Sequence, residues 1–387
     1  MSQIFEDAIL DYCHNDVIHH VEFDYTGNRL ATASSDKSVI IWNRGNNGKW
    51  VKNAVIRCHY GAVWRVKWAN PEFGTIICTC SYDGTIAIYE EICHDEYNIN
   101  MRRRPITSES SDPFIEWKCH RTIIEDKVNV TDIIFAPKYF GLMIISCNSK
   151  GYIRIYEATN IICLDEWTKI REFKAFDGLR CSALAISDNL FFSPLLAVVS
   201  DEELPLYMNH KEKFQRIVLY QYTDRTKFWY VIDKLYYDKN KPQDCPFNII
   251  KPIYDIAFVP SIGRSYHQLA ITVGSEIWIY HLTENFNTKA EKIKSVVYED
   301  NTKNNTFEDE LFYYNSFRAH VLHTKEGSIV KRISFNMTGS LLTAVCYDQS
   351  VFTYQSQYVS LDEYNHKENE TIHCQWKCIE SKVHNNL

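Results

Sequence analysis

The chain has 387 residues, a net charge of −7, and 45% hydrophobic and 14% aromatic residues. That is ample apolar mass for a large core, and the acidic balance excludes a grip on nucleic-acid backbone through a broad basic face. The 13 Cys form no paired framework; Cys78, Cys80, Cys147 and Cys346 sit in apolar runs as small hydrophobes, which points to a reducing compartment. No basic-then-apolar leader opens the chain, and no apolar run nears the ~20 residues of a bilayer span, so neither an export signal nor a transmembrane segment is expected.

One grammar recurs along the chain. It covers residues 16–43, 59–91, 127–158, a degraded copy at 179–222, then 251–282 and 327–355. Each unit begins with an alternating strand, such as Val63-Trp64-Arg65-Val66-Lys67-Trp68, and turns at Pro or Gly. A continuous apolar strand follows, then a tight turn and a third strand ending in Trp42, Tyr89, Tyr156, Tyr220, Tyr280 or Tyr354. Alternation means one buried face and a continuous run means two. A small sheet with a doubly buried centre must be sandwiched between copies of itself, which is the packing logic of a β-propeller. The predicted blades are 14–56, 59–120, 126–175, 178–235, 250–300 and 323–382, in one domain over 1–387.

The terminal aromatics are 47, 67, 64, 60 and 74 residues apart, against ~40–45 for an ordinary blade repeat. The excess is expected in loops at 91–117, 201–214 and 283–324, the last with an outer strand near 292–298. The basic run Arg102-Arg103-Arg104 reads as a solvated loop, and Ser108, Ser110 and Ser111 beside Asp112 as phosphorylation candidates.

Asp36, Asp83 and Asp348 each stand six residues before the closing aromatic; Ser34 and Ser81 precede their Asp by two. His14, His59 and His323 lie 22 to 25 residues upstream. The sets resemble WD repeats, which implies a structural hydrogen-bonded relay of His14, Ser34, Asp36 and Trp42, of His59, Ser81, Asp83 and Tyr89, and of His323, Asp348 and Tyr354. Recurrence makes a hydrolase triad the poorer reading. The third unit has Lys150 and the fifth Gly274 where the turn Asp would stand, so those blades are expected to rely on packing.

The sixth unit carries its own fourth strand near 373–381, so the N-terminal segment 4–10 is not needed to close a ring. An unlocked ring leaves edges that accept strands from a partner. Its expected walls are Ile4, Phe5, Leu10, Val17, Val21, Phe23, Val39 and Ile41 at one end, and Ile329, Ile333, Phe335, Val351 and Phe352 at the other.

"VWRVKWANPEFG" with "CSYDGTIAIYEE", "VTDIIFAPKYFGLMIISC" with "GYIRIYEA", "IYDIAFVPSIGRSYHQLAI" and "DVIHHVEFDYTGNRLATASSDKSVIIW" resemble the second, third, fifth and first blades of Seh-type nucleoporins. The likeness runs from about 14 to 380 and is weakest over 178–222. It implies an open six-bladed WD-repeat β-propeller completed in trans by a blade from an α-solenoid scaffold nucleoporin. It further implies a place beside other nucleoporins of the Y-shaped complex at the nuclear envelope, and in a GATOR complex at the lysosome, signalling amino-acid supply to TOR. The COPII cage propeller, related and sharing loose forms of "PEFG" and "GRSYH", is an alternative. So is a peptide-binding adaptor whose face would use Arg65, Arg154 and Arg332. No catalytic role, cofactor, metal or direct nucleic-acid partner is expected: the carboxylate pairs Glu90-Glu91 and Glu202-Glu203 sit beside loops, Cys374 and Cys378 lack a second pair, and no phosphate or acyl-transfer motif occurs.

Overall fold

The computed structural model describes residues 10, 14–57, 59–94, 114–189, 192–202, 216–224, 227–232, 235–236, 251–260, 264, 266–284, 292–294, 308–310, 314–325, 327–358 and 374–382. Ile4, Phe5, the Arg102–Arg104 run and Ser108, Ser110 and Ser111 lie outside them. The chain divides into two compact units, Glu6–Gly178 and, in the main, Leu179–Leu387.

The first unit holds three four-stranded antiparallel sheets, each hydrogen-bonded in chain order. Blade 1 is β1 (Ile18–Phe23), β2 (Arg29–Ser34), β3 (Val39–Arg44) and β4 (Trp50–Ile56). Blade 2 is β5 (Val63–Trp68), β6 (Ile76–Ser81), β7 (Thr85–His94) and β8 (Phe114–Ile124). Blade 3 is β9 (Val130–Phe135), β10 (Met143–Asn148), β11 (Tyr152–Ala158) and β12 (Trp167–Lys174).

In the second unit, blade 4 is β13 (Ala183–Ile186), β14 (Leu195–Val199), β15 (Ile217–Thr223) and β16 (Phe228–Val231). After β17 (Leu235–Tyr236), blade 5 begins with β18 (Ile256–Phe258), β19 (His267–Val273) and β20 (Glu276–Glu284). A separate ribbon pairs β21 (Lys292–Lys294) with β22 (Glu308–Glu310), and β23 (Tyr314–His323) returns as the fourth strand of blade 5. The segment around 292 is therefore not the outer strand. Its Lys292–Lys294 strand pairs in register with Glu308–Glu310, whereas β23 brings Tyr314 and Leu322 into the core. β17 lies parallel to β23 and makes blade 5 five-stranded. Blade 6 is β24 (Val330–Phe335), β25 (Leu341–Cys346), β26 (Val351–Tyr358) and β27 (Cys374–Lys382). The fold is an all-β, six-bladed β-propeller.

Burial explains the strand types. All residues of β6, β14 and β19 are buried, so both faces of these central strands meet neighbouring sheets. Blades 1 and 2 share a core through Ala31, Val39, Ile41, Val66 and Ile77. Blades 2 and 3 share another through Cys78, Ile88, Ile133 and Ile144. In the second unit, Val199, Leu219, Ile256 and Ile271 join blades 4 and 5, and Ile277, Ile333, Ala344 and Phe352 join blades 5 and 6.

Polar ties link successive inner strands. Glu22 accepts from Trp68 N (3.0 Å) and pairs with Lys67 (2.7 Å); Arg65 meets Asp132 at 2.9 Å; Asp255 accepts from Ile333 N at 2.9 Å. The β6–β7 turn needs Gly84, at φ +81°, because a Cβ there would come within 2.9 Å of Val128 O.

Candidate functional site

Two features bear on the expected sites: the staples inside blades 1, 2, 3 and 6 and the face that blade 1 turns away from blade 2. In blade 1, His14 contacts Asp36 Oδ2 (2.9 Å), Ser38 Oγ (3.1 Å) and Thr32 Oγ1 (2.8 Å), and Trp42 Nε1 donates to Thr32 Oγ1 (3.2 Å). Burial pushes the Asp36 carboxyl up, but bonds from Ser38, Asn15 N and His14 outweigh it and hold it at about 2. In blade 2, His59 contacts Thr79 Oγ1 (2.7 Å) and Thr85 Oγ1 (2.8 Å), with Asp83 at 3.6 Å; Tyr89 is buried in the same core position as Trp42. The hydroxyl that the histidine meets is thus Thr32 or Thr79, four residues before the Asp, not Ser34 or Ser81, and in blade 1 Thr32 also joins the aromatic. The serines lie at the strand ends, where Ser34 donates to Asp16 O and accepts from Asp36 N, and Ser81 accepts from Asp83 N. The recurring Thr-x-x-x-Asp spacing carried that signal in the sequence.

Blade 6 departs further. The His323 side chain is 70% exposed and lies 3.6 Å from Glu276, away from Asp348. It sits at the end of a strand, so its ring points to solvent. Ser328 and Ser350 hold Asp348 instead, keeping its carboxyl down at about 2, and Tyr354 OH donates to the His323 carbonyl (2.8 Å).

Blade 3 does not rely on packing alone. Glu125, 1% exposed, occupies the histidine's place. It accepts from Ser146 Oγ, Tyr156 OH (3.2 Å) and Arg154 Nη1 (3.1 Å), and Arg154 also meets Asp126 and Glu172. Burial would discharge Arg154, but Glu125 and Glu172 more than offset it; burial, then Glu125, push the Tyr156 hydroxyl well above the usual range. Ser146 stands four residues before Lys150, the same spacing as Thr32 to Asp36.

The expected wall residues divide. On blade 1, Val17, Val21 and Phe23 are 61%, 50% and 55% exposed. Val21 and Phe23 share a face with Thr32, Leu30, Ile40, Trp42 and Val55, because cross-strand partners point the same way. Leu10 packs on Leu30, Ile40 and Trp42, and Phe23 lies 5.8 Å from the Trp50 ring. Val39 and Ile41 point the other way, into the core with blade 2. On blade 6, Ile329 is 40% exposed and Val351 half-buried, whereas Ile333, Phe335 and Phe352 pack toward blade 5. The period of two assigns each side chain a face, but which face meets a neighbour is decided only on folding. Leu30, Ile40, Trp42 and Val55 lie on the same face as Val21 and Phe23, and Trp50 packs there against Phe23.

The remaining candidates are tied into the framework. Glu90 contacts His120 (2.8 Å), Glu91 pairs with Arg29, and Glu202 accepts from Arg180 N (2.8 Å). Arg65 and Arg332 pair with Asp132 and Asp255, the latter at 3.5 Å. Among the described residues no group of three His, Cys, Asp or Glu is placed to hold a metal, and no helix is long and apolar enough to cross a membrane.

Residues 8–43 and 50–90 match the WD domain, G-beta repeat family. The chain is 31% identical over 366 residues to Nucleoporin SEH1-A of Xenopus laevis, covering 95% of this chain and 85% of that protein. It is 32% identical over 346 residues to Nucleoporin SEH1 of Homo sapiens, covering 89% and 83%. With Nucleoporin SEH1 of Danio rerio the figure is 30% over 346 residues, covering 89% and 82%. A non-repetitive likeness along nearly the whole length, on six sheets of this construction, establishes the family: the chain belongs to the SEH1 nucleoporins, WD-repeat propellers of the nuclear pore.

Proposed function

We propose that this SEH1-family propeller is a non-catalytic scaffold of the Y-shaped nuclear pore complex that takes an extra blade from an α-solenoid nucleoporin. The observation that carries the reading is the state of the two terminal blades. Among the described residues, blade 1 draws its four strands from 18–56 and blade 6 from 330–382, and neither includes a strand from the other end of the chain. Blade 1 nonetheless keeps Val21, Phe23 and Val55 half exposed on an otherwise apolar face. β25 of blade 6 alternates between buried and more open positions, unlike the wholly buried β6, β14 and β19. An apolar sheet face of this kind is stabilised by another sheet packed on it. In this proposal the same attachment serves a GATOR complex at the lysosome, in signalling to TOR.

Co-purification with the solenoid nucleoporin tests it. A stoichiometric, salt-resistant complex is expected from the unaltered chain, and Val21→Asp or Phe23→Asp weakens it by at least about tenfold, since one buried charge costs several kcal/mol. No complex, or full affinity in both folded variants, overturns the proposal.

A further inference from the structure

The loop between β11 and β12 of blade 3 is held from several sides and yet turns two isoleucines outward. Thr159 N donates to Glu166 O (3.1 Å) and closes its neck. Ile162 N donates to Asn160 Oδ1 (2.9 Å), Trp167 Nε1 to Leu164 O (2.9 Å), and Leu164 is buried in the core shared with blade 2. From blade 2, His120 clamps the loop: one ring nitrogen lies 2.9 Å from Asp165 Oδ1 and the other 2.8 Å from Glu90 Oε2. The bond from His120 holds the Asp165 carboxyl below its usual range. Against this anchoring, Ile161 is 49% and Ile162 95% exposed. The neighbouring β9–β10 loop is tied on through Ala158 N to Leu142 O (3.0 Å) and presents Tyr139, 41% exposed.

An ordered aliphatic tip loses little further conformational freedom when a partner covers it, which is the usual property of an interface anchor. Acids outnumber bases beside it: Asp165, Glu166 and Glu90 stand against Lys118, which helps to hold the Asp165 carboxyl down. Residues 159–166 contain Asp165 and Glu166, both exposed, and no Lys or Arg; Lys138 on the adjoining loop is paired with Glu72.

We infer that the Ile161-Ile162 tip, with its acidic flank, is a docking point for an amphipathic helix of a partner protein whose apolar stripe is bordered by lysine or arginine. The acids repel an anionic membrane and an acidic helix, and favour a basic helix whose leucine-like side chains cover the isoleucines. The surface belongs wholly to blades 2 and 3, so it is separate from the free face of blade 1.

Titration of the full chain with a synthetic leucine–lysine amphipathic helix tests this, beside a leucine–glutamate helix and phosphatidylserine vesicles. Saturable binding of the lysine helix is expected, weakened at least about tenfold by Ile162→Asp and made less salt-dependent by Glu166→Lys. Both side chains are exposed without a structural bond, so the variants keep the fold, and circular dichroism verifies it. Equal binding by Ile162→Asp, equal binding of the glutamate helix, or binding to vesicles alone overturns the inference, as does no binding of the lysine helix.

Discussion

Blades 2 and 3 solve one structural problem with different chemistry. Each must fasten the segment entering its inner strand to the middle of its own sheet. Blade 2 uses a chain of short contacts, His59 to Thr79 and Thr85, with Asp83 capping the turn. Blade 3 places a carboxylate, Glu125, at the same point and neutralises it with a buried Arg154. The position demands a polar group that can reach the second-strand hydroxyl; it does not demand histidine. The ionic version is the more brittle, because losing Glu125 weakens the pairing of a buried guanidinium and leaves two hydroxyls without their acceptor, whereas losing His59 leaves only the Thr79 and Thr85 hydroxyls.

The sharpest way to break that contrast is to remove Glu125. Glu125→Ala leaves the Arg154 guanidinium, 6% exposed, with Asp126 and Glu172 only and strands the Ser146 and Tyr156 hydroxyls; it is expected to cost about 2–4 kcal/mol in chemical denaturation. A cost near that of a surface substitution would show that blade 3 rests on packing after all. The histidine staple comes next. His59→Ala is expected to cost about 1–3 kcal/mol, and His323→Ala, whose ring is in solvent, less than about 0.5 kcal/mol. Equal losses at the two sites would restore His323 to the relay.

Acid sharpens the comparison between the two units. Burial holds His267 and His281, both in blade 5, down to about 4, while the unfolded chain titrates near the ordinary value of about 6.5. The unfolded state therefore binds protons that the folded state refuses. Stability from this pair is intact above about pH 6.5 and is lost as pH falls toward 4, by up to about 1.4 kcal/mol per pH unit per group. Asp36, held at about 2, acts in the first unit only at lower pH, its contribution being lost as pH falls from about 3.8 through 2. Denaturation midpoints followed from pH 7 to 4.5 are expected to drop, and to drop less in His267→Leu. An unchanged pH slope in that variant would remove His267 from the account.

Much of this molecule is readable without coordinates. Ile76–Ser81 does not alternate and is wholly buried, as expected; Val63–Trp68 alternates in sequence yet is covered more than by half, with only Trp64 and Lys67 short of full burial. The closing aromatics place the third strand of every blade, and the fourth strand of blade 6 falls within a residue of its expected limits. The expected outer strand of blade 5 falls at 292–298 instead of at β23 because Val296-Val297-Tyr298 is the nearer apolar run in sequence, and loop length carries no record of which strand returns.

The sequence by itself determined the sheet content, the six-fold repetition and the strand order, because these follow from side-chain period and turn chemistry acting over a few residues. Tertiary structure alone decided that Thr32 and not Ser34 completes the staple, that Glu125 stands in for a histidine, and that Val39 and Ile41 face blade 2 while Leu30 and Ile40 face outward. Those outcomes depend on which groups come within about 3 Å of each other, and residues 18 to 31 positions apart meet at that distance only after the sheets have packed.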